Sequence, residues 1–355
     1  MFSELERGTL SEIIAIEDPE EWDDLLAGFQ DASIYQSFGY GVGRAQEAPS
    51  VRLVLNEGGA RLGLAQLRVK TIPGFRAGLA HCYFGPVVRT SQDADPQEVL
   101  DRYQAALRVL LEGWVQPRGL VLRLVSHLPE DLYPGVTRVL EEMGFCPLEQ
   151  RPYRTILVDL KPGLEEIKKS FRPRFRTKIN KATKLGVRIE VGGDLEAFRR
   201  FQVLYDEMYA RKGFHTKVRV ETFARAQSFL RGKDRMMVFL ATYEGKDLGG
   251  LVLSAMGDTG IYLLGATRIL EELPNHNASN LLHWRAIEEC KNRGLSVYDL
   301  CGVDPEKDPG GYRFKTGFRG RELTYPGSFD WGGSLLSKAA VRAGEFLHRI
   351  RGKEA

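Results

Sequence analysis

The chain has 355 residues, of which 43% are hydrophobic and 27% charged. That balance excludes a disordered, collagen-like or coiled-coil protein and leaves room for about two globular domains with cores of their own. Fifty basic against 47 acidic residues leave a formal charge of +3, which excludes a histone-like polycation but permits a local basic patch. Residues 1–16 are mixed and acidic, without the basic start and apolar run of a signal peptide. Nowhere do about 18 apolar residues run together, so no membrane span is expected and the cytoplasm is the expected compartment.

Taken in order, residues 20–29 carry a helical stripe of Trp22, Leu25, Leu26 and Phe29. Residues 51–56 and 60–71 read as strands around the hairpin signal Glu57-Gly58-Gly59, and 81–88 is a further apolar run. Asp95-Pro96 opens a long amphipathic helix over 95–114. A buried strand over 120–125 and a helix over 136–143, closed by Gly144, follow. Between 150 and 162, Arg151-Pro152 and Lys161-Pro162-Gly163 break regular structure and mark a boundary. Beyond it, 195–211 and 220–230 read as helices, and 236–243, 248–256 and 261–264 as strands. The strands are joined by turn-rich Glu244-Gly245-Lys246-Asp247 and Gly257-Asp258-Thr259-Gly260. A helix over 280–293, stopped by Gly294, leads to a strand over 296–300. Both halves thus run helices, antiparallel meander, helix, strand. That is the order of an acetyltransferase-like (GNAT-like) α/β unit, so the expected fold class is α/β (α+β) with two tandem GNAT-like domains. The last segment, 334–351, spaces Leu335, Leu336, Ala339, Ala343, Phe346, Leu347 and Ile350 as one helical stripe. It is expected to pack on one of the domains. The alternative is a membrane-surface role using Lys338, Arg342, Arg349, Arg351 and Lys353.

Cys82, Cys146, Cys290 and Cys301 form no C-x-x-C pair and are expected as free thiols. The six histidines show no ligand spacing, so no metal is expected. Residues 168–184 hold eight basic residues and no acid, among them Arg172, Arg174, Arg176, Lys178 and Lys181. Phe175, Ile179 and Ala182 fall at helical spacing between Pro173 and Gly186. A helix with one apolar stripe and a cationic remainder suits a phosphate-bearing partner, or else is a solvated face. Between Leu264 and the helix at Asn280, where an acetyltransferase would carry a G-x-G pyrophosphate loop, there is no such motif, and Glu271-Glu272 would repel a pyrophosphate. No cofactor is therefore expected. Asn275, Asn277 and Ser279 read as turn and cap residues.

Several segments together resemble the Fem (FemABX-like) aminoacyltransferases. They are Tyr262-Leu263-Leu264-Gly265-Ala266-Thr267, Asn280-Leu281-Leu282-His283-Trp284-Arg285-Ala286-Ile287, Gly294, Tyr298-Asp299-Leu300-Cys301-Gly302, Phe314-Lys315-Thr316-Gly317-Phe318 and Tyr325-Pro326-Gly327. Gln36-Ser37-Phe38-Gly39-Tyr40 with Arg44, and Gly85-Pro86-Val87, match the family's Q-S-x-x-W…Lys and G-P-V more loosely; Tyr40 and Arg44 replace its tryptophan and lysine, and Arg89 stands where an aspartate is usual. The resemblance implies an acceptor-binding first domain over 1–155 completed by 319–355, and a second over 156–318 carrying Phe314-Lys315. The short passage from Arg211 to Val220 resembles the arm-less form. The implied reaction moves an amino acid from an aminoacyl-tRNA donor to the side-chain amine of a peptidoglycan precursor, either a UDP-linked muropeptide or lipid II. A monomer is expected, cytoplasmic or peripheral at the inner face of the membrane.

Turning an ester into an amide asks for alignment and stabilisation of one oxyanion, and no Ser-His-Asp or Cys-His arrangement is readable. By the resemblance, Lys315 supplies the positive charge and Phe314 packs beside it. Arg44 would hold the acceptor diphosphate, and Arg211, His215 and Tyr262 would contact the acceptor. Asp299 is either a base or a strand-end structural residue. Two readings compete: a coenzyme A-dependent N-acyltransferase of the same fold acting on a polysaccharide or lipid precursor, and a non-catalytic RNA-binding protein using 168–184.

Overall fold

The computed structural model describes residues 11–148, 153–212, 219–273 and 275–351. These form two compact units. The first holds the described residues in 11–31, 35–148 and 324–351, and the second holds 32–34 and 153–323.

The first unit begins with β1 (Ser11–Ala15), α1 (Pro19–Leu26) and α2 (Phe38–Gly43). The meander β2 (Ser50–Glu57), β3 (Ala60–Thr71) and β4 (Gly78–Tyr83) follows, then α3 (Pro96–Leu110), β5 (Leu120–Val125), α4 (Val136–Glu142) and β6 (Cys146–Pro147). The second unit runs β7 (Arg154–Asp159), α5 (Leu164–Ser170), α6 (Pro173–Leu185), β8 (Arg188–Gly192), α7 (Leu195–Lys212) and α8 (Val220–Gln227). It continues with β9 (Met237–Tyr243), β10 (Lys246–Met256), β11 (Thr259–Thr267), α9 (Ala278–Asn292), β12 (Val297–Asp299), α10 (Pro309–Lys315) and β13 (Arg321–Thr324). The chain then supplies β14 (Ser328–Gly332) and α11 (Leu335–Arg351) to the first unit. Each unit is built on one seven-stranded mixed sheet, ordered β1-β2-β3-β4-β5-β14-β6 and β13-β7-β12-β11-β10-β9-β8.

The cores follow from the two periodicities. Asp95 caps α3 by accepting from the Gln97 and Glu98 amides, and the helix buries Leu100, Tyr103 and Leu107 against Leu53, Leu67 and Leu122 of the sheet. In the second unit α6 and α9 bury Phe175, Ile179, Leu282 and Ala286 against Phe239, Leu251 and Leu253.

The two units differ at one seam. In the first, β4 and β5 pair in parallel from Gly78↔Leu120 to Tyr83↔Val125, and the Phe84 amide still bonds the Val125 carbonyl. In the second, β11 and β12 pair only from Thr259↔Val297 to Ile261↔Asp299. On its other side β11 carries a bulge, with Leu253 opposite Tyr262 and Val252 opposite Leu264. The second sheet is therefore parted beyond Ile261, at the residues that carry the motifs.

Several sequence expectations are corrected. The basic stretch 168–184 is not one helix: α5 ends at Ser170 and α6 starts at Pro173. The residue before a proline is barred from the helical region, so Arg172 is extended (ψ 139) and Phe171 drops into the core. The apolar run 81–88 ends as a strand at Tyr83, and the helix expected over 95–114 closes in a π turn, Leu111–Val115. Strand β7 lies between Arg151-Pro152 and Lys161-Pro162-Gly163 and had no counterpart in the sequence reading. Strands β1, β6, β8, β13 and β14 had no counterpart in the sequence reading. Asn277 takes a left-handed backbone (φ 53) and makes no side-chain cap; the His276 Nδ1 accepts the Ala278 amide at 3.1 Å instead. Helix α11 exists, but the described part of its apolar stripe does not pack. Leu335, Leu336, Ala339 and Ala343 are exposed, and the helix rests through buried Ser337 with half-buried Ala340 and Val341.

Candidate functional site

In the second unit the site is assembled at the parted seam. Asp308 caps α10 by accepting the Gly311 amide at 2.9 Å, Pro309 fills the first position, and Lys315 is the last residue. A cation there meets the negative end of the helix. The Lys315 Nζ donates to the carbonyls of Gly302 (2.7 Å) and Cys301 (3.3 Å) and lies 5.5 Å from the centre of the Tyr262 ring. Those carbonyls turn toward the ammonium because Cys301 adopts a left-handed backbone, φ 53. The Cys301 amide is held by Asp299 Oδ1 at 2.7 Å, and the Thr155 hydroxyl donates to the same carboxylate oxygen. Burial pushes the Asp299 carboxyl up, while these two donors favour its charged form. Asp299 thus acts as a positioning residue for the Lys315 acceptors.

Burial also lowers the Lys315 pKa from the usual lysine value, although Cys301 and Asp299 oppose the shift. Beneath it, buried His283 shares a 2.7 Å hydrogen bond between Nδ1 and the Tyr298 hydroxyl, and its ring stands edge-on to Tyr262 at 4.5 Å. Burial, then the charge of Lys315, pushes His283 down to about 3, so it is neutral at pH 7. Phe314 is half-buried and packs on His283 (5.3 Å) and on Phe175 of α6 (5.2 Å). Burial raises the Cys301 thiol, which keeps it protonated and unsuited to nucleophilic attack.

The structure brings Lys315, Phe314 and Tyr262 together. Arg211 is exposed and donates to the Thr267 carbonyl at 3.0 Å, at the far end of the strand that carries Tyr262. His215 lies outside the described residues. Arg172, just before α6, and Arg174, Lys178 and Lys181 on it are exposed, and Arg176 is half-buried and donates to the Lys169 carbonyl at 2.9 Å. Among the described residues none of these five is held in an ion pair. Arg172 and Arg174 sit at the positive end of the α6 dipole, where a cation is unfavourable by some ~0.3–1 kcal/mol, so helix stability does not explain them.

The first unit carries a separate cationic cluster. Gln36 bridges β3 and β4, accepting from the Gln66 amide (2.7 Å) and donating to the Tyr83 carbonyl (2.8 Å). A side chain on Gly85 would collide with it. Ser37 caps α2, and Arg44 follows at its C-terminal end. The two loosely matched motifs therefore build one buttress that places Arg44. Arg44 donates to Glu47 at 2.6 Å, while its Nε is buried with no partner among the described residues. Arg68 shares Glu47 and also bonds His81 Nδ1 at 2.8 Å. Burial, and then the neighbouring Arg68, Arg123 and Arg44, pushes His81 down to about 3. Two guanidinium groups on one carboxylate leave a surplus of positive charge. Arg68, His81, Glu47, His283 and Tyr298 had no assigned role in the sequence reading; His283 and Tyr298 lay within quoted motifs, whereas Arg68 had no local signal.

A coenzyme A pyrophosphate does not fit the connection between β11 and α9. The Ala278 amide at the helix start is already taken by His276, the residue before it is Asn277, and Lys246 pairs with Glu272 at 2.7 Å beside it. Residues 268–277 contain no glycine that would let a backbone cradle approach a phosphate. Among the described residues no cluster of three or more His, Cys, Asp and Glu is placed to hold a metal ion.

Residues 169–316 match the family model of the acetyltransferase (GNAT) domain. Among solved structures the chain is similar in fold to FemX, with a TM-score of 0.77 and 18% identity over 94% of this chain and 99% of that one. It is also similar to the C-terminal domain (DUF2156) of a lysylphosphatidylglycerol synthetase candidate from Agrobacterium fabrum, with a TM-score of 0.55 and 13% identity over 92% of this chain and 96% of that one. L-PGS from Bacillus licheniformis has a TM-score of 0.53 and 12% identity over 94% of this chain and 97% of that one. No curated protein matches the chain. The chain is thus a mixed α/β protein of two GNAT-like domains with the fold of FemX.

Proposed function

We propose that this protein is a Fem-type aminoacyltransferase that joins an amino acid from aminoacyl-tRNA to the side-chain amine of a peptidoglycan precursor. The observation that carries this reading is Lys315: a half-buried ammonium on two backbone carbonyls at the parted β11–β12 seam, in a unit whose β11–α9 connection has no G-x-G motif. The acceptor amine attacks the ester carbonyl of the donor. The carbonyl oxygen becomes an oxyanion that Lys315 stabilises. As the C–O bond to the ribose breaks, the ribose oxygen takes up a proton and the amine nitrogen gives one up. Exposed cations on α6 suit the phosphates of the donor, and Arg44 with Arg68 suits an acceptor diphosphate. The acceptor is a nucleotide-linked or lipid-linked muropeptide.

The deciding experiment incubates the protein with charged tRNA and either UDP-linked muropeptide or lipid II, followed by mass spectrometry. A mass gain of one aminoacyl residue on the precursor is expected. Modification that needs an acyl-coenzyme A instead would overturn the reading in favour of the same-fold N-acyltransferase.

The acceptor assignment has its own test. Arg44→Ala removes one charge-assisted partner of a diphosphate, worth about 1.5–3 kcal/mol. The acceptor KM is expected to rise about tenfold or more, with kcat within about threefold. The reverse split would place Arg44 in the chemistry or the fold.

A further inference from the structure

Three stretches of the first unit meet around Gly119: the β3–β4 tip with Phe75 and Arg76, the turn with Arg118, and the start of α11. The Ser337 hydroxyl ties them by accepting the Gly78 amide at 2.9 Å and donating to the Gly119 carbonyl at 2.5 Å, and the Ser334 amide donates to the same carbonyl at 3.1 Å. Gly119 has φ 64, and any side chain there would collide with the Arg76 carbonyl. The join is therefore built from small residues, and it leaves large apolar ones outside. Leu335 is 88% exposed, Phe75 63% and Leu336 43%, and Leu335 is the most exposed of the large hydrophobic residues described.

Charge accompanies them. Arg76, Arg118, Lys338 and Arg342 are exposed, and segments 71–77, 113–119 and 334–344 contain no acidic residue. Arg118 lies over the Trp114 ring at 4.7 Å, flanking a hollow of about 590 Å³ lined also by Val69, Phe75, Arg76 and Leu120. Over its described side chains the outward stripe of α11 continues the same character, since Ser337, Ala340 and Val341 face inward while Leu335 and Leu336 stay exposed. Protruding apolar side chains ringed by uncompensated cations are complementary to an anionic lipid surface. The apolar tips enter the acyl boundary while the cations stay at the phosphates. A nucleic acid would use the cations but leave Leu335 and Phe75 wet.

We propose that this face, formed by the Phe75 tip and the outward stripe of α11, docks the protein on the surface of a bilayer containing anionic phospholipid. Among the described residues no helix is long and apolar enough to cross a membrane, and none is required. The inference stands apart from the transfer reaction, since it uses no residue of the Lys315 or Arg44 clusters.

The test is co-sedimentation of the full chain with vesicles of phosphatidylcholine alone or mixed with phosphatidylglycerol, at low and high salt. Binding is expected only with phosphatidylglycerol, weakening as salt rises. The combined variant Phe75→Ser, Leu335→Ser, Leu336→Ser is expected to lower vesicle affinity at least about tenfold. Lys338→Glu with Arg342→Glu, on the exposed side of the helix, is expected to do the same and serves alone if the first variant does not fold. Failure of the unaltered protein to bind phosphatidylglycerol vesicles, or equal binding by the variants, would overturn the proposal. So would absence of vesicle binding together with tRNA binding, or dimer formation, that the same substitutions abolish. No donor or acceptor is present, so the result is independent of the aminoacyl-transfer assay.

Discussion

Lys315→Met should lower transfer by about 10²- to 10³-fold or more, the usual consequence of removing one preorganised oxyanion partner, while the protein stays folded. Methionine keeps most of the length and apolar stem of lysine, so packing over the Tyr262 ring survives. What disappears is the charge held by the Gly302 and Cys301 carbonyls. The measurements are single-turnover transfer and thermal unfolding of the same preparation. Near-normal turnover would remove Lys315 from the mechanism.

The same residue imposes a pH dependence. Its folded-state pKa lies below the ordinary lysine value because burial disfavours the ammonium. Transfer that depends on the ammonium is therefore expected to fall as pH rises through that lowered value, and the falling limb should be missing from the Lys315→Met background. Stability runs the other way. Between the lowered value and the unfolded lysine value the unfolded chain binds more protons than the folded one, so this group makes folding more favourable as pH rises through that window. His283, pushed down to about 3, contributes no transition near pH 6.5.

Gly265→Ala should damage both stability and transfer. The bulge in β11 turns the Tyr262 ring across Gly265, and a Cβ at residue 265 would collide with the Tyr262 hydroxyl and ring edge. Neither can move cheaply: Tyr262 is packed against His283 and lies beneath Lys315, and residue 265 is pinned opposite Leu251. Overpacking of this kind costs about 1–3 kcal/mol, and the displaced ring carries the Lys315 contact with it. The expected result is a lowered Tm together with at least about tenfold lower transfer. The check is a double-mutant cycle with Tyr262→Ala. The cost of the added methyl should largely vanish once the ring is gone, giving a coupling of about 1 kcal/mol or more. Equal cost in both backgrounds would mean that the methyl meets something other than Tyr262.

Much of the fold was legible in the sequence because its signals are local. The hairpins at Gly58-Gly59 and Glu244-Gly245 take the left-handed backbone that glycine invites at a turn. Helices α3 and α9 announced themselves through their spacing, and the twin order of elements already pointed to two GNAT-like domains. The strands that escaped, β1, β13 and β14 among them, are short and mixed in character, and their partners lie far along the chain, as Ser328 opposite Val125 shows. Strand preference in such segments is created by the neighbour and not by the segment.

By itself, the sequence determined the period of each amphipathic element, the turn positions, the absence of a G-x-G loop, and the presence of Lys315 in a recognisable motif. Which way those elements face was decided only by the tertiary structure. A 3.6-residue period places Leu335, Leu336, Ala339 and Ala343 on one stripe but says nothing about whether that stripe meets a core or water; the Ser337 anchor turned it outward. Strand register set Arg68 directly opposite His81, and so joined residues 13 positions apart in one half-buried polar cluster. The left-handed turn at Cys301, held by Asp299, aimed two carbonyls at Lys315. In these cases the deciding term is the pairing of polar groups that only the folded chain brings into reach, a quantity that does not exist until the chain has folded.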